Sequence, residues 1–258
     1  MSQNLAKTLR LLLVLLIVSF IALPALAATY TVINNNDSGA GSLRLAITDA
    51  NSTPGSDTIN FSSDFIITLV SDLPVISDQL TIDGAGHNIV INRNDRLAFA
   101  TYVFKLAAAN CSINNIVIQG AYYGIWISGA SGNTIKGCKI GTDASGASAV
   151  PNDTGVYISG GAQSNNIGDG TVAGRNIISG NDSYGVYITG SNTNGNLVLG
   201  NYIGTAANGT GAVGNGLYGV YLASAAQSNK IGDATSGGRN ILSGNNYNGV
   251  RSSGANTN

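Results

Sequence analysis

Side chains that could carry out acid/base or nucleophilic chemistry are sparse in this sequence of 258 residues. The chain has one His, two Cys and no Glu, so its 13 acidic side chains are all Asp. Hydrolysis of a glycosidic bond needs two carboxyl groups held at a fixed separation, yet no two Asp residues are adjacent. His87, in the run GAGHNIV, is interpreted as a structural turn residue rather than as a catalyst.

One further arrangement would place a base beside a carboxylate, as proton abstraction by a lyase requires. Lys105 lies in the run YVFKL and Asp83 ends the run LTID. Side-chain alternation along a strand directs both residues outward, and they are weak catalytic candidates. The alternative interpretation is a solvated lysine and an unrelated turn aspartate.

Aromatic residues recur at a fixed place in a repeated tetrad. They are Trp126, Tyr157, Tyr187 and Tyr221. Flat rings in a row suit stacking on sugar faces, so these four are the candidate binding residues. The alternative is a stack of rings that only protects a sheet. Arg251 interrupts the row at the next repeat.

Two pairs of loops also repeat, and their carboxylates are the candidate metal ligands. Asp169 and Asp233 recur together with Arg175 and Arg239, which predicts an ion pair or turn hydrogen bonds inside each loop. Calcium at Asp143, Asp169 and Asp233 is the alternative, but no dense carboxylate cluster supports it. No zinc ligand set occurs, and no cofactor is predicted.

Internal repetition indicates how these side chains are positioned. The run AQSNNIGDGTVAGRNIISGN from Ala162 returns as AQSNKIGDATSGGRNILSGN from Ala226, an offset of 64 residues. Tetrads such as GIWI and GVYI recur roughly every half of that period, so the unit comprises two turns. Each turn holds about three strand-sized segments, which predicts parallel sheets wound into a solenoid.

Alternation within the tetrads assigns the two sides of the predicted strands. In Gly185-Val186-Tyr187-Ile188, a period of two sends the aliphatic residues inward and the tyrosine outward. Val and Ile at equivalent positions of successive turns should therefore form internal ladders. Asparagines at strand ends are predicted to bond to the turns above and below: Asn176, Asn181, Asn201, Asn240 and Asn245.

The start of the chain predicts export. Residues 1–27 combine a basic head, an apolar run and the small-residue pattern Ala25-Leu26-Ala27, which is typical of a cleaved secretory signal. An uncleaved membrane anchor is the alternative, and no membrane span is expected after cleavage. We expect a secreted or cell-surface protein, with the periplasm as the alternative compartment.

Beyond the signal, residues 28–60 are predicted to form a strand-helix-strand cap. Ser42 can cap a helix whose apolar stripe comprises Leu43, Ala46, Ile47 and Ala50. Residues 61–258 are predicted to form the repeats, and the final Asn-Thr-Asn aligns with the middle of a repeat. We therefore expect the sequence to be truncated at its C-terminal side.

The low content of charged residues narrows the classes of molecule that this protein could bind. The net charge is −1 and only 10% of residues are charged, so no basic stripe exists for nucleic acid. A polysaccharide or another cell-surface polymer is the predicted partner.

Cys111 and Cys138 lie at different points of successive turns, which favours two buried thiols, with a disulfide as the alternative.

These features resemble the right-handed parallel β-helix proteins of the pectin-lyase-like superfamily, especially bacterial exported repeat proteins. The resemblance rests on SLRLAITDAN from Ser42, LPVISDQLTIDGAG from Leu73, and the alternating words IGTDASG and NIGDGTVAGRNIISGN. It implies that the all-β solenoid, whose N-terminal capping helix is predicted above from the residues, winds with a right-handed twist, and it implies a surface or secreted setting. It implies no activity, because this fold hosts enzymes, adhesins and structural modules.

The function expected from the sequence is accordingly an exported, non-catalytic, structural or adhesive module that binds carbohydrate. The alternative is a polysaccharide lyase or glycoside hydrolase. The motifs that polygalacturonases of this fold carry, such as Asn-Thr-Asp and Gly-His-Gly, do not occur.

Overall fold

The computed structural model describes residues 26–257, and there the chain forms a right-handed parallel β-helix with one short helix. The signal peptide predicted for residues 1–27 lies outside the described residues except for Leu26 and Ala27. From Leu80 onward, each turn of the solenoid contributes one strand to each of three parallel sheets, whereas the earlier residues contribute strands to only one or two of them. The fold class predicted from the repeats is therefore confirmed.

The strands of the three sheets are as follows. Sheet A comprises β1 (Thr29–Val32), β2 (Asp57–Phe61), β4 (Leu80–Asp83), β7 (Ser112–Asn114), β10 (Thr134–Lys136), β13 (Asn166–Ile167), β16 (Leu197–Val198) and β19 (Lys230–Ile231). Sheet B comprises β3 (Phe65–Thr68), β5 (Ile89–Asn92), β8 (Ile116–Gln119), β11 (Lys139–Ile140), β14 (Ile177–Ile178), β17 (Tyr202–Ile203) and β20 (Ile241–Leu242). Sheet C comprises β6 (Tyr102–Leu106), β9 (Tyr123–Ser128), β12 (Thr154–Ser159), β15 (Tyr184–Thr189), β18 (Val220–Ala223) and β21 (Val250–Ser253).

A single helix, α1 (Leu43–Ser52), packs against β1 and β2 at the N-terminal side of the solenoid. Its cap is the predicted one, because the Ser42 hydroxyl accepts a hydrogen bond from the backbone N–H of Leu45 at 3.3 Å. The predicted stripe is buried in the core: Leu43, Ala46, Ile47 and Ala50. The helix thus covers apolar interior that a bare end of the solenoid would expose.

Aliphatic ladders fill the interior as alternation predicted. Val156 pairs in register with Ile125 and Val186, and all three side chains are buried. A parallel ladder runs through Ile127, Ile158, Ile188 and Leu222. Each buried rung contributes about 1.5–3 kcal/mol relative to an exposed side chain. Val250 continues the first ladder but is 44% exposed, because no described turn covers it.

Asparagine ladders run along all three corners of the solenoid. In each, the Oδ1 atom accepts hydrogen bonds from the side chain of the asparagine one turn earlier, as in Asn133 Nδ2 to Asn165 Oδ1 at 3.0 Å. The members are Asn133, Asn165, Asn196 and Asn229 between sheets C and A; Asn176, Asn201 and Asn240 between A and B; and Asn152, Asn181, Asn215 and Asn245 between B and C. Of the predicted asparagines, Asn176, Asn181 and Asn201 are buried, whereas Asn240 and Asn245 in the last described turn are partly exposed.

Both cysteines stand at the first rung of an asparagine ladder. The backbone N–H of Cys111 donates to Asn133 Oδ1 at 2.8 Å, and that of Cys138 donates to Asn176 Oδ1 at 2.9 Å. They are buried free thiols at two different corners, so the disulfide alternative is wrong. Burial raises the pKa of Cys111 to about 11 and that of Cys138 to about 12. Neither thiol is therefore a reactive nucleophile.

Candidate functional site

The outer face of sheet C carries the predicted aromatic row in register. Tyr157 pairs with Trp126 on one side and Tyr187 on the other, and Tyr187 pairs with Tyr221. Successive ring centroids lie 5.8, 5.3 and 4.9 Å apart. The four rings are half-buried, so each keeps an exposed edge or face toward solvent.

A cation stands at each end of this row. Lys105 pairs in register with Trp126, and its Nζ lies 3.7 Å from the centroid of the indole ring. Arg251 pairs in register with Tyr221, but its guanidinium turns to Tyr218, donating to the phenol oxygen at 2.8 Å. Cations are attracted to the negative faces of aromatic rings. Lys105 and Arg251 therefore extend the row beyond its aromatic residues.

A second row of tyrosines lies beside the first and was not predicted. Tyr102, Tyr123 and Tyr184 occupy one register position, with Thr154 between the last two. Tyr218 continues the row, stacked on Tyr184 at 5.8 Å. The two rows together are called the aromatic face: Trp126, Tyr157, Tyr187 and Tyr221 with Tyr102, Tyr123, Tyr184 and Tyr218.

Strict alternation fails to find the second row because of the glycine that follows it. Tyr123 precedes Gly124, and a period of two would send it inward with Ile125. Its ring instead stacks on Tyr157 at 4.4 Å with an interplanar angle of 14°. Successive turns approach closely at the glycine: a Cβ added at Gly124 would lie 2.6 Å from the carbonyl oxygen of Gly155. The same approach of 2.6 Å occurs at Gly155, Gly185 and Gly219, which explains the glycine that opens these tetrads.

Four phenols of the aromatic face hold their protons more firmly than a free tyrosine does. Burial raises the pKa of the phenols of Tyr102, Tyr123, Tyr157 and Tyr184. Serine hydroxyls lie beside two of the rings: Trp126 Nε1 donates to the Ser159 hydroxyl at 3.0 Å, and the Tyr221 and Ser253 hydroxyls are 2.8 Å apart. The face therefore offers ring surfaces with hydroxyl groups beside them.

A loop of residues 93–101 borders the aromatic face. Its Phe99 is 78% exposed and contacts Tyr122 edge-on at 5.1 Å. Arg96 Nε donates to Asp182 Oδ2 at 2.7 Å, which ties the loop to a much later turn. The loop therefore adds exposed apolar surface to the rim of the face.

The two weak catalytic candidates do not meet. Lys105 lies on sheet C against Trp126, whereas Asp83 ends β4 in sheet A. Asp83 Oδ1 accepts hydrogen bonds from the backbone N–H of Ala85 and from Asn115 Nδ2, at 2.9 and 2.8 Å. Asp83 is thus held in a turn, as the alternative interpretation of this residue expected.

His87 lines a cleft of about 350 Å³ at the corner between sheets A and B. Asn115 and Lys139 also line this cleft, and His87 Nδ1 lies 3.5 Å from Asp64 Oδ1. The cleft opens on a different part of the solenoid from the aromatic face.

The candidate metal ligands are occupied by donors of their own loops. Asp143 accepts from the Ser145 hydroxyl and from the backbone of Ala147, at 2.8 and 3.0 Å. Asp169 and Asp233 each accept from the backbone N–H and the hydroxyl of a threonine two residues later. These bonds are the predicted turn hydrogen bonds. Within residues 26–257 no three His, Cys, Asp or Glu side chains cluster as metal ligands would.

Arg175 does not form the ion pair that was the other prediction for these loops. Its guanidinium lies 4.2 Å from the ring centroid of Tyr202 and donates to the Tyr202 hydroxyl at 3.0 Å. Asp169 instead pairs with Lys136 at 3.7 Å. The loop is therefore braced against the following turn by Arg175 and against an earlier turn by Asp169.

Comparison with solved structures identifies the fold. The chain is similar to jun a 1, the major allergen from cedar pollen, with a TM-score of 0.54 and 13% sequence identity, over 89% of this chain and 77% of the allergen chain. This likeness supports the right-handed parallel β-helix fold. No family model matches it, and no curated protein matches it in sequence. In the described part, no helix is long and apolar enough to cross a membrane.

Proposed function

We propose that this protein is an exported, non-catalytic β-helix module that binds a polysaccharide at the cell surface through the aromatic face. The observation that carries the proposal is the double row of rings on sheet C, half-buried except for the buried Tyr123, in which Tyr157 stacks on Tyr123 and Tyr187 on Tyr221. Aromatic rings bind the apolar faces of sugars by stacking, and neighbouring hydroxyls bond to the sugar hydroxyls.

The shape of the face favours a polymer over a small molecule. Small ligands bind in enclosed concave sites, whereas the rings of the row from Trp126 to Tyr221 follow the sheet turn by turn, on strands that lie about 4.8 Å apart. The row from Trp126 to Tyr221 therefore spans about 15 Å. A chain lying along this row would contact several rings at once, which increases affinity without a deep pocket.

Binding is tested by affinity electrophoresis of the purified protein through gels that contain pectin, alginate or a glycosaminoglycan. We expect retardation in at least one gel. Trp126→Ala and Tyr187→Ala should each weaken binding by about 3- to 10-fold, as loss of one aromatic contact would. The matched control is Tyr202→Ala, which removes a half-buried tyrosine from sheet B. Unretarded migration of the unaltered protein in every gel would overturn carbohydrate binding.

The same polysaccharides test the enzymatic alternative, a lyase or glycoside hydrolase. We expect neither unsaturated products nor new reducing ends. Turnover that is lost on Lys105→Ala or Asp83→Ala would replace the non-catalytic proposal with the enzymatic one.

A further inference from the structure

The buried carboxylate of Asp57 accepts a hydrogen bond from the residue that follows the predicted signal cleavage site. Asp57, the first residue of β2, is 1% exposed. Its Oδ1 accepts a hydrogen bond from the backbone nitrogen of Ala28 at 2.7 Å. Its Oδ2 is also buried and has no hydrogen-bond partner among residues 26–257.

One hydrogen bond from a neutral N–H group does not satisfy the buried Asp57 carboxylate. An ionised carboxylate offers about four acceptor positions, and burying its charge without a counter-charge is costly. None of the ion pairs among the described residues includes Asp57. Among residues 26–257 the carboxylate therefore finds neither a second donor nor a positive charge.

The position of the Ala28 nitrogen is fixed by the fold. The carbonyl oxygen of Ala28 accepts from the backbone N–H of Thr58 at 2.8 Å, which extends the pairing of β1 with β2 by one residue. The two residues before it are outside regular structure and exposed, with Leu26 84% exposed. The pattern Ala25-Leu26-Ala27 places the predicted cut directly before Ala28.

We propose that cleavage of the Ala27–Ala28 bond creates an N-terminal ammonium that pairs with the buried Asp57 carboxylate and locks the N-terminal cap. In this hydrolysis by a signal peptidase, the oxygen of one water molecule joins the Ala27 carboxylate. Both hydrogens of that water pass to the Ala28 nitrogen, which becomes an ammonium with three donors. The same nitrogen that donated one neutral hydrogen bond then supplies the missing charge and a donor for Oδ2.

This pairing would act on the whole cap. Asp57 also donates its backbone N–H to the Gln79 carbonyl oxygen at 3.1 Å, so it links β1 and β2 to the next turn. Helix α1 packs on the same two strands. Processing would therefore complete the structure at the end of the solenoid where α1 lies, independently of any ligand on sheet C.

The first test is the identity of the mature N-terminus. The full-length chain is expressed in a bacterial host that exports it, and the intact mass and N-terminal peptide of the secreted protein are measured. We expect a chain that starts at Ala28. A secreted protein that starts at any other residue would overturn the proposal, because the hydrogen bond to the Asp57 carboxylate comes from the Ala28 nitrogen.

The second test measures the reactivity of the new amine. An amine paired with a buried carboxylate should react with an acylating reagent at least about tenfold more slowly than in the urea-unfolded protein, since raising its pKa by one unit lowers the reactive free base tenfold. Labelling of the N-terminal peptide is followed by mass spectrometry. Equal rates in the native and unfolded protein would overturn the pairing.

A matched pair of variants assigns the protection to Asp57. Asp57→Asn should accelerate labelling of the native protein, whereas Asp49→Asn, which neutralises an exposed carboxylate on α1, should leave the rate unchanged. If Asp57→Asn is not secreted in folded form, the native-to-unfolded ratio of the unaltered protein still decides the question.

Discussion

The two sides of sheet C carry ladders that look alike in sequence and differ in physical cause. On the inside, Val186 and Ile188 are buried, and the adjacent corner is filled by an asparagine ladder whose amides bond from turn to turn. On the outside, Tyr187 is only half-buried, yet it repeats just as regularly. Interior repetition follows from packing, whereas repetition of exposed rings is not required by the core and calls for a ligand or a protective role.

The largest expected effect is on the interior side. Asn181→Ala removes hydrogen bonds from Nδ2 to the Ile140 carbonyl and to Asn215 Oδ1, and one accepted from Asn152. Each buried group left without a partner costs about 1–3 kcal/mol, so the free energy of unfolding should fall by about 3–6 kcal/mol. Urea denaturation followed by circular dichroism measures it.

The control for this change is Asn246→Ala, an exposed asparagine one residue after a ladder member. Its stability should stay within about 0.5 kcal/mol of the unaltered protein, as expected for surface substitutions. Equal losses for Asn181→Ala and Asn246→Ala would show that the ladder contributes no special stability.

Ile158 and Tyr157 are neighbours on β12 that lie on opposite sides of sheet C. Ile158→Ala opens a cavity at a fully buried site and should cost about 2–5 kcal/mol. Tyr157→Ala, one residue earlier, removes ring contacts worth about 0.5–1.5 kcal/mol each and should reduce polysaccharide binding more than stability. Urea denaturation and affinity electrophoresis of both variants measure the two effects. A larger stability loss for Tyr157→Ala would mean that the outer row is a structural element.

Alkaline pH tests the four phenols of the aromatic face whose pKa is raised by burial. Because burial raises the folded-state pKa of Tyr102, Tyr123, Tyr157 and Tyr184, their stabilising contribution is complete below the unfolded value of about 10 and is lost as pH rises above it. Phenolate absorbance should therefore rise in two stages, the second coinciding with loss of the β-sheet circular dichroism signal. A single stage near pH 10 with the fold intact would contradict this assignment.

Most of the solenoid could be predicted because period-two alternation and the 64-residue offset are both written in the sequence. Both predicted inner ladders and the row from Trp126 to Tyr221 lie where alternation placed them. Alternation could not predict Tyr123 and Tyr184, since the close approach of turns at Gly124 and Gly185 breaks the period locally.

The contacts of Arg175 and Asp57 were also out of reach of the sequence. Each depends on how one turn is placed against another: Arg175 lies over Tyr202 of the next turn, and Asp57 lies beside Ala28. Repeats within the sequence fix which residues share a register position. They do not fix which side chains at the corners or at the cap meet across turns.

The smallest expected change concerns Lys105, which lies over the only tryptophan of the chain. Lys105→Met keeps the length of the side chain and removes its charge, so stability should fall by only about 0.5–1 kcal/mol. The emission of Trp126 should nevertheless shift, because the charge that faces the indole ring is gone. In the unaltered protein, the same emission should change when a bound polysaccharide covers Trp126. Without polysaccharide, the emission of Tyr202→Ala should equal that of the unaltered protein. Emission that responds to neither Lys105→Met nor a retarding polysaccharide would place the ligand away from this end of the aromatic face.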